Sequence, residues 1–416
     1  MTDQKTNRVV VTGMGIHSPI GSTLDAVWKS LMEGRSGTGP IQRFDASDLS
    51  SQIAGEVLDF DPKAYLGAKE ARRSDRFVQL AVASSLDATE HAGLSIDRSN
   101  ADRIGVLIGT AMGGMETIER EIATLNERGP SRVSPFFVPM YLADMASGYV
   151  SITLGAKGPN LATLSACASA AHAIGEGANT IRRNDADVMI VGGSEAAVTR
   201  GSVAGFAALQ ALSTRNSEGT TASRPFDLTR DGFVIAEGSA VLILESLEHA
   251  QSRGATILAE ITGYGATGDA SHIVQPAMDG SGAARAMRIA IQQAGLEPGD
   301  IDYINAHGTS TPLNDRLESL STSSVFGEET APPISSTKAL TGHLLGAGAA
   351  VEAVFTIQSI LSGVIPPTWH YENPDPDCTL DYVTEGPRKA QLNHTLSNSL
   401  GFGGHNVALT ISRLST

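Results

Sequence analysis

Four reactive side chains stand in turns rich in small residues, each following an apolar, strand-like run. Cys167 follows Leu161–Leu164 in Ser165-Ala166-Cys167. His307 lies in Asn305-Ala306-His307-Gly308-Thr309. Lys338 and His343 flank the start of a second small-residue stretch, in Ser336-Thr337-Lys338 and Thr341-Gly342-His343. A helix of small residues is expected to start at the cysteine, through Ala168, Ser169, Ala170, Ala171, Ala173, Gly175, Gly177 and Ala178. Backbone N–H groups are unpaired at a helix N-terminus and the dipole there favours negative charge, so the position is expected to lower the thiol pKa and give a nucleophilic thiolate. A second reading treats Cys167 as a small buried apolar residue, the common use of a free cysteine. This stretch alone accommodates both.

The wider constellation favours chemistry. A thiolate with two histidines suits acyl transfer through a thioester, with backbone N–H groups stabilising the oxyanion. A hydrolase needs only one base. Two neutral imidazoles can also donate hydrogen bonds to a second developing oxyanion, such as an enolate, which favours carbon–carbon bond formation. The histidines lie in separate turns without the short spacing of a metal site, so no metal is expected. No GxxxxGK[ST] phosphate loop appears. His172 lies on the same helix as Cys167 but about 140° around its axis, and is expected to be structural. Cys378 stands in Pro374-Asp375-Pro376-Asp377-Cys378 with no basic neighbour in sequence, and is expected to be inert. His405 borders the Gly401-Phe402-Gly403-Gly404 turn.

Elements of one repeated kind must position these groups. In the first half, strands are expected at Arg8–Thr12, Ile104–Ile108, Leu161–Leu164, Val188–Val191 and Ser239–Glu245. Helices are expected at Leu24–Glu33, Phe77–Ala92, Asp144–Leu154, Ala204–Leu212 and Glu248–Arg253. Ile41–Tyr65 and Pro130–Met140 read as irregular, and Ser213–Gly232 as a long polar loop. The second half repeats this grammar. Ile257–Ile261 with Gly263-Tyr264-Gly265 parallels Val9–Gly15, Ile301–Asn305 with Ala306-His307-Gly308-Thr309-Ser310-Thr311 parallels Ile104–Gly113, and a small-residue helix over Thr341–Leu361 parallels Leu161–Ile181. Thr395–Leu400 and Val407–Ser412 close the half. Strands alternating with helices imply largely parallel sheet in two similar α/β halves, residues 1–255 and 256–416, with ligands at the strand carboxyl ends.

Composition sets the setting. The 416 residues hold two or three domains' worth of material. Net charge is −15, which argues against general nucleic-acid or anionic-membrane binding. Lys69-Glu70-Ala71-Arg72-Arg73-Ser74-Asp75-Arg76 is a basic cluster in this acidic chain, expected to lead into the Phe77 helix. It reads as a solvated helix start, although first turns favour acids. Two distant cysteines make no disulfide framework, the N-terminus has no apolar signal core, and no run approaches membrane-span length. A cytoplasmic, reducing setting is expected.

With SACASAAHAIG, STRN, SRPFD, RDGF, NAHGTSTP, STKALTGHLLGAGAAVEA and NSLGFGGHN in this order, the chain resembles the β-ketoacyl-[acyl-carrier-protein] synthases of the thiolase superfamily, most of all their elongating type II members. The resemblance runs from VVVTGMGIHSPIG to NSLGFGGHNVAL. It implies a duplicated thiolase-like α/β fold, layered α-β-α-β-α, with two similar mixed sheets around buried helices. It implies decarboxylative condensation of a cysteine-bound acyl chain with malonyl-[acyl-carrier-protein], releasing CO2, in fatty-acid elongation.

By this resemblance Cys167 is the nucleophile, and His307 and His343 support decarboxylation and the enolate. Lys338 orients the centre, with Glu352 as its buried acidic counterpart. The N–H groups of Cys167 and Phe402 form the oxyanion hole, and Phe402 gates the two half-reactions. Thr309 and Thr311 bind the pantetheine arm, Met112 and Phe206 line the acyl tunnel, and Gly403 belongs to the substrate-binding turn. Lys69, Arg72 and Arg73 form the docking patch for acyl carrier protein. No cofactor is implied beyond the carrier's own phosphopantetheine arm; a homodimer is implied, and nucleic acid and membrane are not.

The sequence departs from the family pattern at three places. His405 replaces a common threonine, Gln210 stands where a basic docking residue is frequent, and Met112 where isoleucine is frequent. A type II polyketide ketosynthase shares the motifs and remains an alternative. A non-catalytic chain-length-factor subunit typically lacks the nucleophile that Cys167 supplies. A thiolase would need a second cysteine where His405 stands, and an initiating synthase an asparagine in place of one histidine.

Overall fold

The computed structural model describes residues 7–415, so most of the polar N-terminal stretch and the last residue lie outside the described residues. Ten strands form one ladder. From one edge to the other it runs Ile334–Ser335, Tyr303–Asn305, His394–Gly401, His405–Ser412, Ala259–Gly268, Val9–His17, Gly238–Ser246, Val188–Glu195, Ile104–Gly109 and Asn160–Thr163. The ladder is a duplication about its middle. In the first half Asn160–Thr163, Ile104–Gly109 and Val188–Glu195 run parallel, and Gly238–Ser246 and Val9–His17 add antiparallel. The second half repeats this with Ile334–Ser335, Tyr303–Asn305 and His394–Gly401, then His405–Ser412 and Ala259–Gly268. Among the described residues the two five-stranded sheets pair at Val10↔Glu260 and Val11↔Ala259, so they meet edge to edge.

Two helices, Ser169–Arg182 and Gly348–Ser362, fill the layer between the sheets. Their small residues are a packing requirement. A Cβ on Gly175 would lie 2.3 Å from the Tyr264 ring, and one on Gly177 2.3 Å from Val191 Cγ1. Such contacts cannot be relieved in a close-packed interior. The outer layers are the Arg76–His91 helix on the first sheet and the Ser281–Gln293 helix on the second. The same device docks both. A Cβ on Gly13 would meet Ala88 O at 2.3 Å, and one on Gly263 would meet Ala290 O at 2.0 Å.

Several expectations change. Ile41–Tyr65 is not wholly irregular: Ile53–Gly55 pairs with Thr38–Pro40, and a helical segment over Pro62–Ala71, kinked at Gly67 (φ 72°), starts at the Asp61 cap and Pro62. The Lys69–Arg73 cluster therefore ends a helical segment rather than starting one. The next helix starts at Arg76 behind its own cap, Asp75. Thr199 caps Arg200–Ala208, so that helix begins and ends earlier than the apolar spacing suggests. Part of Pro130–Met140 is helical, at Phe137–Tyr141. Thr341–Leu361 is not one helix. It breaks after Lys338–Thr341 at Gly342 (φ 68°) and again at Leu345 (φ 47°), before Gly348–Ser362. Leu345–Ser362 does reach 18 residues at mean hydropathy 1.4, long and apolar enough to cross a bilayer, but 83% of it is buried in the core.

Candidate active site

Each site residue sits where a strand or helix is interrupted. The chain leaves the strand Asn160–Thr163, passes through Ala166 in the left-handed region (φ 49°), and enters the buried helix at Ser169. Ser169 Oγ accepts from Ser165 N at 2.9 Å and donates to Ala166 O at 2.7 Å, closing the turn that holds Cys167. The break at Gly342 turns His343 out of helical geometry, and Sγ of Cys167 lies 3.0 Å from His343 Nε2. His307 follows the strand Tyr303–Asn305. Its ring centroid is 5.3 Å from that of His343, nearly perpendicular to it. One donor atom from each of the three residues lies within 4.8 Å of the others. Separate turns thus converge as closely as metal ligands do, which sequence spacing did not suggest.

Burial governs the electrostatics. Cys167 is 8% exposed, His307 3% and His343 2%. The thiol pKa is pushed up to about 12 by burial. The Lys338 charge and the N–H groups of Phe402 and Cys167 pull it down, and Glu195 raises it further. This corrects the expectation of a thiol acidified by the helix start: desolvation outweighs the N-terminal amides. Both imidazoles are held well below the usual histidine pKa, first by burial and then by Lys338, and so stay neutral. Lys338, 1% exposed, pairs with Glu352, whose carboxyl burial pushes up and Lys338 pulls back.

The Gly-rich turn closes over the thiol. A Cβ on Gly401 would meet Ser165 O at 2.7 Å and Cys167 N at 3.2 Å, so this backbone can approach only as glycine. The approach brings the Phe402 N–H to the thiol. Rings then run outward from the site: His343 to Phe233 at 5.2 Å, Phe233 to Phe206 at 5.5 Å, and Phe206 to Phe402 at 6.4 Å.

A cavity of about 370 Å³ opens onto Cys167, His307 and His343, walled by Phe206, Phe402, Thr309 and Thr311. The two threonine hydroxyls are 3.1 Å apart. Gln210, exposed and left-handed (φ 55°), also borders it. Met112 does not. It packs with Phe206 into an apolar cluster around Cys167. Gly403 is not in the wall either, and donates its N–H to Ile273 O at 2.9 Å.

Lys69 and Arg72 are exposed, and Arg73 lies over the Phe136 ring at 4.7 Å. His172 bonds Tyr264 Oη at 2.7 Å, and the His405 ring packs edge-on against the His172 ring at 6.3 Å. Cys378 is buried, its thiol pushed up to about 11 by desolvation; Arg230, remote in sequence, supplies the basic neighbour that the local segment lacks.

Two of the buried carboxylates that sequence reasoning left unassigned hold turns at the site. Glu318 accepts the N–H groups of His307 and Gly308 at 2.8 and 2.7 Å and holds the histidine turn. Glu195 does the same for the turn after Gly109. The available signal was an acid closing an otherwise apolar strand, Val188–Glu195.

Residues 6–250 match the family model for the β-ketoacyl synthase N-terminal domain and 258–372 that for its C-terminal domain. A 3-oxoacyl-[acyl-carrier-protein] synthase 2 from Synechocystis sp. is 51% identical over 414 residues, 99% of this chain and 100% of the relative. A β-ketoacyl synthase structure from Burkholderia phymatum superposes with a TM-score of 0.92 at 37% identity, covering 98% of this chain and 100% of that one. A type II polyketide acyl-carrier protein in complex with its ketosynthase bound to the hexaketide gives 0.91 at 33% identity, covering 99% and 100%. With both family domains matched in order and half of all residues shared along the full length, this chain belongs to the β-ketoacyl synthase family.

Proposed function

We propose that this chain is an elongating 3-oxoacyl-[acyl-carrier-protein] synthase. The observation that carries the reading is the 3.0 Å contact of Cys167 Sγ with a neutral His343, beside a neutral His307, at the end of a cavity. In the first half-reaction Sγ attacks the acyl thioester carbonyl. The oxyanion is held by the N–H groups of Cys167 and Phe402, the C–S bond to pantetheine breaks, and the thiol proton ends on the departing pantetheine sulfur. The thiol is protonated at neutral pH, so its proton must leave during attack, and His343 Nε2 is within reach to relay it.

In the second half-reaction the C–CO2 bond of malonyl thioester breaks and its electron pair forms an enolate. His307 and His343, neutral, each donate one N–H to the enolate oxygen. The enolate carbon then attacks the cysteinyl thioester, the C–Sγ bond breaks, and one proton from solvent restores the thiol. Burial holds the two histidines neutral, Lys338 beside them adds to this, and Glu352 pairs with that lysine. Thr309 and Thr311 bind the pantetheine arm, and Phe402 gates between the two substrates.

The partner is acyl carrier protein, an acidic chain met by Lys69, Arg72 and Arg73. A solved ketosynthase similar to this chain is held in complex with its own carrier protein, which supports the reading. A second copy of the chain completes the assembly. Asn160–Thr163 is an edge strand, and Leu161 within it and Leu164 just after it are 61% and 56% exposed, a surface that asks for cover. Both cysteines are free, as a reducing cytoplasm requires.

A type II polyketide ketosynthase is the second reading, favoured by the polyketide complex among the similar structures. The higher identity to a fatty-acid type relative favours the first. A panel of acyl-carrier substrates, from short to long, offered with malonyl-carrier protein decides between them. Single-round elongation of saturated chains is expected. Iterative extension without reduction would support the polyketide reading, and no condensation would reject both.

A further inference from the structure

Glu195 ends the strand Val188–Glu195 and is fully buried. Among the described residues no lysine or arginine comes within ion-pair distance of it. A buried carboxylate without a cation costs several kcal/mol unless donors converge on it. Here four do. Oε2 accepts from Ala111 N at 2.7 Å and Gly346 N at 3.1 Å, and Oε1 from Thr110 Oγ1 at 3.1 Å and Met112 N at 3.3 Å.

These donors come from both halves of the fold. Thr110, Ala111 and Met112 form the turn after the strand Ile104–Gly109, and Gly346 follows His343 and Leu345. The two turns touch at Gly346, where a Cβ would lie 2.2 Å from Ala111 N. Ala111, Met112 and Leu345 belong to the apolar cluster that surrounds Cys167 together with Phe206. One carboxylate therefore ties the turn bearing Met112 to the turn bearing Leu345, both packed in the apolar cluster around Cys167.

We propose that Glu195 is a positioning residue that fixes the separation of the Thr110–Met112 and Leu344–Gly346 turns, and through it the length of acyl chain that Cys167 accepts. The acyl ligand rests on the condensing reading above; the joining of the two turns does not. No neutral side chain of the same size can replace the carboxylate. Glutamine has one acceptor oxygen, and its NH2 would face N–H groups.

The test uses full-length Glu195→Gln and Glu195→Asp beside the wild type, with two readouts. One is acylation of Cys167 by acyl-carrier substrates of increasing length, followed by mass spectrometry. The other is the pH profile of Cys167 alkylation by iodoacetamide, which needs no condensing activity. His307 and His343 lie against the thiol, the charges of Lys338 and Glu195 act on it from further off, and only Glu195 is altered. In Glu195→Gln the alkylation profile is expected to move to lower pH, because a negative charge near the thiol is gone. The ratio of long-chain to short-chain acylation is expected to fall about tenfold or more. Glu195→Asp keeps the charge but is too short to reach all four donors, so its alkylation profile stays while its chain-length ratio falls. Glu195→Asp alone carries the length test if Glu195→Gln does not fold. A wild-type ratio in both variants, or equal loss of short and long chains, overturns the positioning role. An unmoved alkylation profile in Glu195→Gln overturns its placement beside the thiol. A wild type that no acyl chain labels overturns the condensing reading and the length claim together, while the alkylation arm still decides the placement.

Discussion

Ala166 and Leu345 share a left-handed backbone, φ 49° and 47°, each three residues before the first residue of a buried helix. The duplication has thus kept the strained turn in both halves and changed the residue after it. In the first half that residue is Cys167, facing the cavity; in the second it is Gly346, pressed against Ala111 and bonded to Glu195. Non-glycine residues at positive φ persist where surrounding structure over-determines them, commonly at functional sites.

Gly346→Ala probes that relationship. The added methyl would meet Ala111 N at 2.2 Å, backbone against backbone, with no flexible side chain to give way. Overpacking of this kind costs about 1–3 kcal/mol. Urea unfolding is expected to show a loss in that range. A variant as stable as the wild type would mean that the two turns are not in contact.

Cys167→Ala removes only the sulfur from a site that is already small and 8% exposed. Condensation is expected to fall by about a thousandfold or more, with thermal stability changed by about 1 kcal/mol at most. Circular dichroism melting beside a condensation assay checks both halves. Retained elongation by the folded variant would show that another group carries the acyl chain.

Much of this was legible in the sequence because the site lies at element ends, and element ends are marked by residue type. The duplicated strands were readable as apolar runs, and the turns at Cys167, His307 and Gly401–Gly404 by their glycines and serines. The illegible part depends on tertiary contact. The thiol's high pKa comes from desolvation by residues remote in sequence, so local helix-start reasoning gave the wrong direction. The break at Gly342 was hidden because Ala, Leu and Gly on either side read as one helix; only the chain's need to bring His343 to Cys167 explains it. Met112 reached the apolar cluster but not the wall of the main cavity, a distinction no one-dimensional pattern carries. Glu195 and Glu318 went unassigned because a buried acid is explained only by the N–H groups that turn toward it.

Charge reversal at Lys69, Arg72 and Arg73 tests the carrier surface. Lys69 and Arg72 are exposed and far in sequence from the catalytic turns, so the chemistry itself should not sense them. KM for carrier-bound substrates is expected to rise about tenfold at low salt, with kcat and the KM of a small pantetheine thioester unchanged. Equal effects on both substrate classes would show that the patch acts on the fold rather than on the carrier.

The buried histidines link stability to pH. Burial holds His307 and His343 well below the usual pKa of 6.5, so below that pH the unfolded chain binds protons that the folded chain does not. Stability contributed by each neutral imidazole is therefore present above pH 6.5 and is lost as pH falls toward the folded-state value. Glu195 acts in the opposite sense. Its pKa is raised to about 7, so the folded chain holds a proton between the unfolded value of 4.5 and that point, and stability from this group is lost as pH rises. The two contributions overlap, so the total slope is not diagnostic and a difference between variants is. Compared with the wild type, His307→Ala is expected to lose stability less steeply on acidification, by about 1 kcal/mol per pH unit well below 6.5. Urea midpoints measured from neutral to acid pH supply the comparison. Parallel curves for the two proteins would mean that His307 titrates in the folded state as it does in the unfolded chain.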